Sequence, residues 1–157
     1  MRLATKDDID KISIIRVKQQ KDDWQEKYED KYDLLNTTKS YLEKHLNNDF
    51  FAFVEEKDND IIAICCLQII EYLPQCNDNG RQGYICNVYT EKEYRNKGLG
   101  KEIVNSAINY IKELKAKKIY IYSQLHAVGF YEKLGFKVEG DIFYEEDHPH
   151  KKVYLDL

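Results

Sequence analysis

The chain has 157 residues, with 24 Lys+Arg against 28 Asp+Glu and a formal charge of −4. That length suits one domain spanning 1–157 with a single sizeable core, and 33% charged beside 43% hydrophobic residues describes a globular rather than a disordered chain. No apolar run approaches the ~18–20 residues of a membrane span, and the first residues lack the apolar core of a secretion signal. An acidic chain with only four arginines is also a poor binder of nucleic-acid phosphates, so a nucleic-acid partner is not expected.

In chain order, Thr5-Lys6-Asp7-Asp8 has the form of a capping box with Asp in place of Glu. Ile9, Ile12, Ile14, Ile15 and Val17 follow at mostly helical spacing. The charged stretch 22–33 reads as loop or solvated helix, and Thr38 to Leu46 as a second short helix. Residues 50–54 and 61–70 are β-branched and aromatic, and the turn chemistry of Lys57-Asp58-Asn59-Asp60 joins them as an antiparallel hairpin. Cys65 and Cys66 fall in the second of these strands and read as small core residues. With Cys76 and Cys86 they make four cysteines without CxxC spacing, so no zinc site is expected and a reducing cytoplasm is the expected compartment.

A loop from Pro74 to Gly83 precedes a strand over Tyr84–Thr90. Leu99, Ile103, Ala107, Ile111 and Leu114 then mark a long amphipathic helix starting near Gly98. A short strand over 119–122 leads to a short helix through Ala127, Phe130, Tyr131 and Leu134, stopped by Gly135. Segments 136–138, 142–144 and 151–155 supply the last strands. The acidic, histidine-containing segment 145–150 reads as a solvated turn kinked by Pro149 rather than as a metal site. The order β-α-α-β-β-β-α-β-α-β-β predicts an α/β (α+β) mixed sheet covered by helices.

All seven glycines lie at or after position 80, and two of them, Gly98 and Gly100, sit where a strand hands over to the long helix. A helix N-terminus offers unpaired N–H groups and the positive end of a dipole. Without Cβ atoms, an anion can approach that backbone closely, so the segment has the makings of a phosphate cradle. An ordinary flexible approach to a helix is the plain alternative. A P-loop is excluded because Gly-x-x-x-x-Gly-Lys-Ser/Thr is absent, and a dinucleotide fingerprint because the next strand ends at Tyr122-Ser123 without an acidic residue.

Arg95-Asn96-Lys97-Gly98-Leu99-Gly100 resembles the Arg/Gln-x-x-Gly-x-Gly/Ala motif of the GNAT superfamily of acyl-CoA-dependent N-acyltransferases. Downstream, Gly129-Phe130-Tyr131-Glu132-Lys133-Leu134-Gly135-Phe136 is similar to a second motif of that superfamily, in the same order along the chain. The resemblance is tight over about 83–136 and topological over 1–80. It implies a mostly antiparallel sheet of six to seven strands, about four helices and a splayed central strand pair. It implies further that acetyl-CoA is the cosubstrate. Its pantetheine arm would pair with backbone along Val88, Tyr89 and Thr90, and its pyrophosphate would rest on the N–H groups of Arg95, Asn96, Lys97, Gly98, Leu99, Gly100 and Lys101. Arg95's side chain would brace the loop or reach the phosphate.

The same resemblance makes Tyr131 the acid that protonates the departing thiolate. A phenol of pKa ~10 is a suitable donor to a thiol of pKa ~8.5. Read from periodicity alone, Tyr131 is part of an apolar stripe with 127, 130 and 134. A backbone N–H near Val88 would polarise the thioester carbonyl. Some relatives carry a glutamate base at the start of the strand before the loop, where this chain has Arg81-Gln82-Gly83-Tyr84. Glu71, Tyr84, His126 or a water path are the substitutes. Cys86 would lie beside the cofactor, as an inert or a reactive thiol. The reading is an enzyme moving an acetyl group to a primary amine such as a polyamine, an amino sugar or a lysine. A non-catalytic acyl-CoA sensor is the alternative, and a tRNA-directed enzyme would want a basic surface this chain lacks. A homodimer through C-terminal edge strands is compatible with the pattern.

Overall fold

The computed structural model describes all 157 residues. The elements in order are β1 (Arg2–Leu3), α1 (Ile9–Trp24), α2 (Leu34–His45), β2 (Phe50–Lys57), β3 (Asp60–Glu71), β4 (Arg81–Thr90), α3 (Leu99–Glu113), β5 (Lys118–Gln124), α4 (Val128–Glu132), β6 (Lys137–Glu145) and β7 (His148–Asp156). Seven strands form one mixed sheet in the order β1-β2-β3-β4-β5-β7-β6. β4 and β5 are parallel, while β1–β2, β5–β7 and β6–β7 are antiparallel. The expected element order holds through α4. Two compact units make up the chain: Met1–Cys66 with Asn87–Val104, and Leu67–Cys86 with Asn105–Leu157.

In the first unit, the β2–β3 hairpin turns on Asp58 and Asn59, both in the left-handed region at φ 51° and 69°. Two such residues give the tight turn that matches strand twist. Ala52, Val54, Ala63, Ile64 and Cys65 from these strands are buried, as alternation across two covered faces requires. Ahead of α1, the Asp8 carboxylate accepts the Thr5 N–H at 2.7 Å and two bonds from Arg2 at 2.7 and 2.8 Å. These bonds, from Arg2 first, hold the Asp8 carboxyl down to about 2 against the opposing effect of burial. α1 continues to Trp24, so the charged stretch expected to begin at residue 22 opens inside a helix.

In the second unit, β4 begins at Arg81, three residues before the expected start at Tyr84. The cause is Gly80, whose carbonyl accepts the Tyr72 N–H at 2.7 Å and carries the β3–β4 ladder into the loop. A Cβ on Gly80 would sit 2.2 Å from the Tyr72 carbonyl oxygen, at φ +73°, so only glycine fits. Farther along, the Glu91 N–H donates to the Ile62 carbonyl at 2.9 Å. Eleven residue steps separate Gly80 from Glu91, whereas ten separate Ile62 from Tyr72, so β4 carries one extra residue, a bulge.

The expected last three strands are two. Glu139 pairs with Lys152 and Phe143 with His150, so β6 runs through an irregularity over 140–142 without ending. Gly140 at φ +74° bends it. Pro149 does not kink the segment as expected but lies within β7, opposite Tyr144. Its missing N–H costs nothing on the other side, because pairing with β5 begins only at Gln124↔His150. The turn itself falls on Glu146 and Asp147, at φ 47° and 67°.

Candidate active site

The loop after β4 is built from backbone. A short 3-10 turn over Lys92–Tyr94 follows Glu91, and α3 starts at Leu99. Asn96 at φ 61° and Gly98 at φ 87° are both left-handed, with Lys97 between them. Successive residues of this kind curl the chain so that N–H groups form an anion-binding concavity. The Glu102 N–H donates to the Gly98 carbonyl at 3.1 Å. The N–H groups of Leu99, Gly100 and Lys101 therefore stand ahead of α3's own ladder, at the positive end of a 15-residue helix. Lys92, Arg95, Lys97 and Lys101 add cationic side chains to the same ten residues. The geometry and charge fit a pyrophosphate.

Arg95 braces this loop. Its Nε donates to the Thr90 carbonyl at 2.8 Å, and its guanidinium lies 5.5 Å from the centre of the Tyr89 ring. One lone pair of the Thr90 carbonyl is thereby taken within the chain. The hub of the arrangement is a residue that the sequence did not single out, Asp22 near the end of α1. Asp22 Oδ2 accepts the Tyr89 hydroxyl at 2.8 Å and an Arg95 NH2 at 3.4 Å, while Oδ1 lies 2.9 Å from Lys92 Nζ. Burial works against its charge, yet the bonds from Lys92 and Tyr89 hold its carboxyl below the usual range. Burial and the bond to Asp22 push the Tyr89 phenol up, so it stays a donor. Asp22 is 67 residues from Tyr89, and no local pattern announces the pairing.

Val88 and Thr90 are half-buried, and Tyr89 is buried. β4 pairs with β5 from Gln82↔Lys118 to Ile85↔Ile121, while the two strands continue to Thr90 and Gln124. The parallel ladder thus stops in mid-strand.

In the second unit, Tyr131 is a buried residue of α4. Its ring meets Phe130 and Phe136 edge-on, with centroids 5.0 and 5.8 Å apart. The Leu134 and Phe136 N–H groups both donate to its carbonyl, at 2.9 and 3.1 Å. Gly135 at φ +92° makes that closing turn possible. Of the substitutes for a base, Glu71 pairs with Arg81 at 2.9 Å, and His126 is exposed in a 3-10 turn over Leu125–Ala127. Burial pushes the Tyr84 phenol up, the wrong direction for a base. Cys86 is half-buried, and none of the four cysteines forms a disulfide.

The family profile described as Acetyltransferase (GNAT) family matches residues 15–136, a span that contains the loop, β4 and α4. The chain belongs to the GNAT acetyltransferase family. A predicted acetyltransferase from Clostridium acetobutylicum, solved with acetyl-CoA, is 31% identical over 92% of each chain with a TM-score of 0.77. The PaiA N-acetyltransferase of Thermoplasma acidophilum, solved with coenzyme A, shares the fold at 19% identity and a TM-score of 0.66, over 97% of this chain and 98% of its own. A spermine/spermidine N(1)-acetyltransferase of Bacillus subtilis is 27% identical over 89 residues, which is 54% of this chain. The match spans 58% of that curated relative's length. No helix of this GNAT chain is long and apolar enough to cross a membrane.

Proposed function

We propose that the chain, taken over 1–157 as one functional domain, is an N-acetyltransferase that moves an acetyl group from acetyl-CoA directly to a primary amine. The observation that carries this reading is the left-handed pair Asn96 and Gly98 ahead of unengaged N–H groups at the start of α3, inside the span that matches the family. Arg95, Asn96, Lys97, Gly98, Leu99, Gly100 and Lys101 hold the pyrophosphate through backbone N–H groups. Val88, Tyr89 and Thr90 orient the pantetheine arm through main-chain groups. Acetyl-CoA supplies, when bound, a thioester carbonyl open to attack by a neutral amine. A β4 N–H near Val88 stabilises negative charge on that carbonyl oxygen, and the Tyr131 hydroxyl holds the proton destined for the thiolate.

Similarity to enzymes named for spermine and spermidine, and an acidic chain, support a cationic small-molecule acceptor in preference to nucleic acid. Four cysteines without a disulfide support a reducing, cytoplasmic setting. β6 is a sheet edge, and a homodimer would pair it. The test is calorimetry with acetyl-CoA together with thiol release across an amine library. Saturable binding with amine-dependent thiol release is expected. Binding without release for any amine would favour the acyl-CoA sensor, and no binding would remove both readings.

A further inference from the structure

Strand register in the second unit lines up an aromatic face that the acetyl-CoA reading leaves unused. Tyr84 stands opposite Tyr120 across β4–β5, and Tyr120 opposite Tyr154 across β5–β7. Two residues along β5, Tyr122 shares that face by the period of a strand. Centroids are 5.1 Å apart for Tyr84–Tyr120, 5.5 Å for Tyr84–Tyr122 and 5.4 Å for Tyr122–Phe143. Phe143 stacks on His150 at 5.8 Å, and His150 Nε2 lies 3.7 Å from Glu145 Oε2. The rings thus form a continuous row that ends on a carboxylate whose side chain is 51% exposed. Tyr122, in the middle of the row, is 39% exposed.

The chain itself demonstrates what these rings accept. Lys152 Nζ lies 5.4 Å from the Tyr120 centroid, and Lys118 Nζ 4.6 Å from that of Tyr154. At this end of the face, the electron-rich ring faces hold ammonium groups. At the other end, Tyr84, Tyr122 and Phe143 lead to the charge of Glu145, which helps burial keep the Tyr84 phenol protonated. Faces of rings beside a carboxylate complement a cation. A surface of tyrosines, lysines and acids is also more polar than the core of a stable dimer interface.

We propose that this row of Tyr84, Tyr122, Phe143 and Glu145 binds the non-reacting ammonium of a diamine or polyamine acceptor. The inference rests on the acetyltransferase reading and deepens it. The amine to be acetylated must be neutral to attack, so affinity for the acceptor has to come from its other, charged nitrogen. The rings and Glu145 supply that affinity.

The test is calorimetry on the full chain with spermidine and with n-butylamine, which lacks a second cation, beside a parallel titration with acetyl-CoA. Spermidine is expected to bind, and its affinity to fall about tenfold in Glu145→Gln and in Tyr122→Ala. Butylamine and acetyl-CoA affinities should stay unchanged in both variants. Glu145 is exposed, so Glu145→Gln remains informative if Tyr122→Ala fails to fold. Normal acetyl-CoA binding with no spermidine binding, or with spermidine affinity unchanged in Glu145→Gln, overturns the acceptor site and leaves the acetyltransferase reading standing. The acceptor site is likewise overturned if the variants instead dissociate a dimer seen by sedimentation. Absence of acetyl-CoA binding to the unaltered chain defeats the reading and this inference together.

Discussion

The loop before α3 and the α4 segment with Tyr131 hold their parts by different physics. The loop gathers main-chain N–H groups at the start of α3, and charged side chains keep it in shape: Asp22 gathers Tyr89, Lys92 and Arg95, and Arg95 ties back to Thr90. Around Tyr131 the fixing is apolar, with Phe130 and Phe136 edge-on to the ring and Gly135 closing the turn. A backbone site tolerates many side-chain changes and fails where φ is forced. A side-chain site depends on one hydroxyl and tolerates changes of backbone chemistry around it. Substitutions in the two regions should therefore separate binding from turnover.

The largest expected effect breaks the chemical half alone. Tyr131→Phe keeps the ring packing and removes the hydroxyl. Turnover measured by thiol release should fall by about a hundredfold, with acetyl-CoA affinity unchanged. Unchanged turnover removes Tyr131 from proton delivery.

Gly98→Val should break the binding half. A Cβ at Gly98 has room, its nearest neighbour being Glu102 Oε1 at 3.7 Å, so the obstacle is the left-handed φ of +87°. That conformation costs an L-residue about 1–2 kcal/mol and a β-branched one more, or roughly a thirtyfold loss of acetyl-CoA affinity by calorimetry. Gly98→Asn, an L-residue at ease in this region as Asn96 is, should bind within about threefold of the parent. If Asn fails as badly as Val, close approach of the ligand rather than φ sets the need for glycine.

A smaller effect sharpens the role of charge. Asp22→Ala frees Tyr89, Lys92 and Arg95 and should weaken acetyl-CoA binding about fivefold, with little change in turnover at saturation. A gain in affinity would mean that Asp22 repels the pyrophosphate more than it shapes the loop.

The smallest effect lies outside both regions. The folded Asp8 pKa, held by Arg2 from 3.8 down to about 2, stabilises the chain above the unfolded value. That contribution, about 2 kcal/mol, is lost as pH falls from 3.8 towards 2. Melting curves of Asp8→Asn should lie below the parent at neutral pH and converge with it through that acid window.

Much of the loop's geometry was legible because its signals are local. Gly98 and Gly100 lie within one turn of the residues they serve, and the strand-loop-helix order around them follows from spacing. The hairpin at Asp58-Asn59 and the stop at Gly135 were readable for the same reason: turn chemistry acts over four residues. Asp22 was not, since it meets Tyr89 only through tertiary packing and sits in a stretch whose charge suggested solvent. The aromatic row was half-visible. Tyr120 and Tyr122 alternate as a strand must, but Phe143 joins them only through the irregular register that Gly140 permits in β6. Pro149 misled for a related reason: where a proline is harmless depends on where the neighbouring strand ends.

The most direct measurement is an amide NMR titration of the isotopically labelled chain with coenzyme A. The account predicts that the N–H signals of Asn96, Lys97, Gly98, Leu99, Gly100 and Lys101 move most, joined by Val88 and Thr90 of β4. Saturable binding that leaves those amides in place and moves signals elsewhere would contradict it.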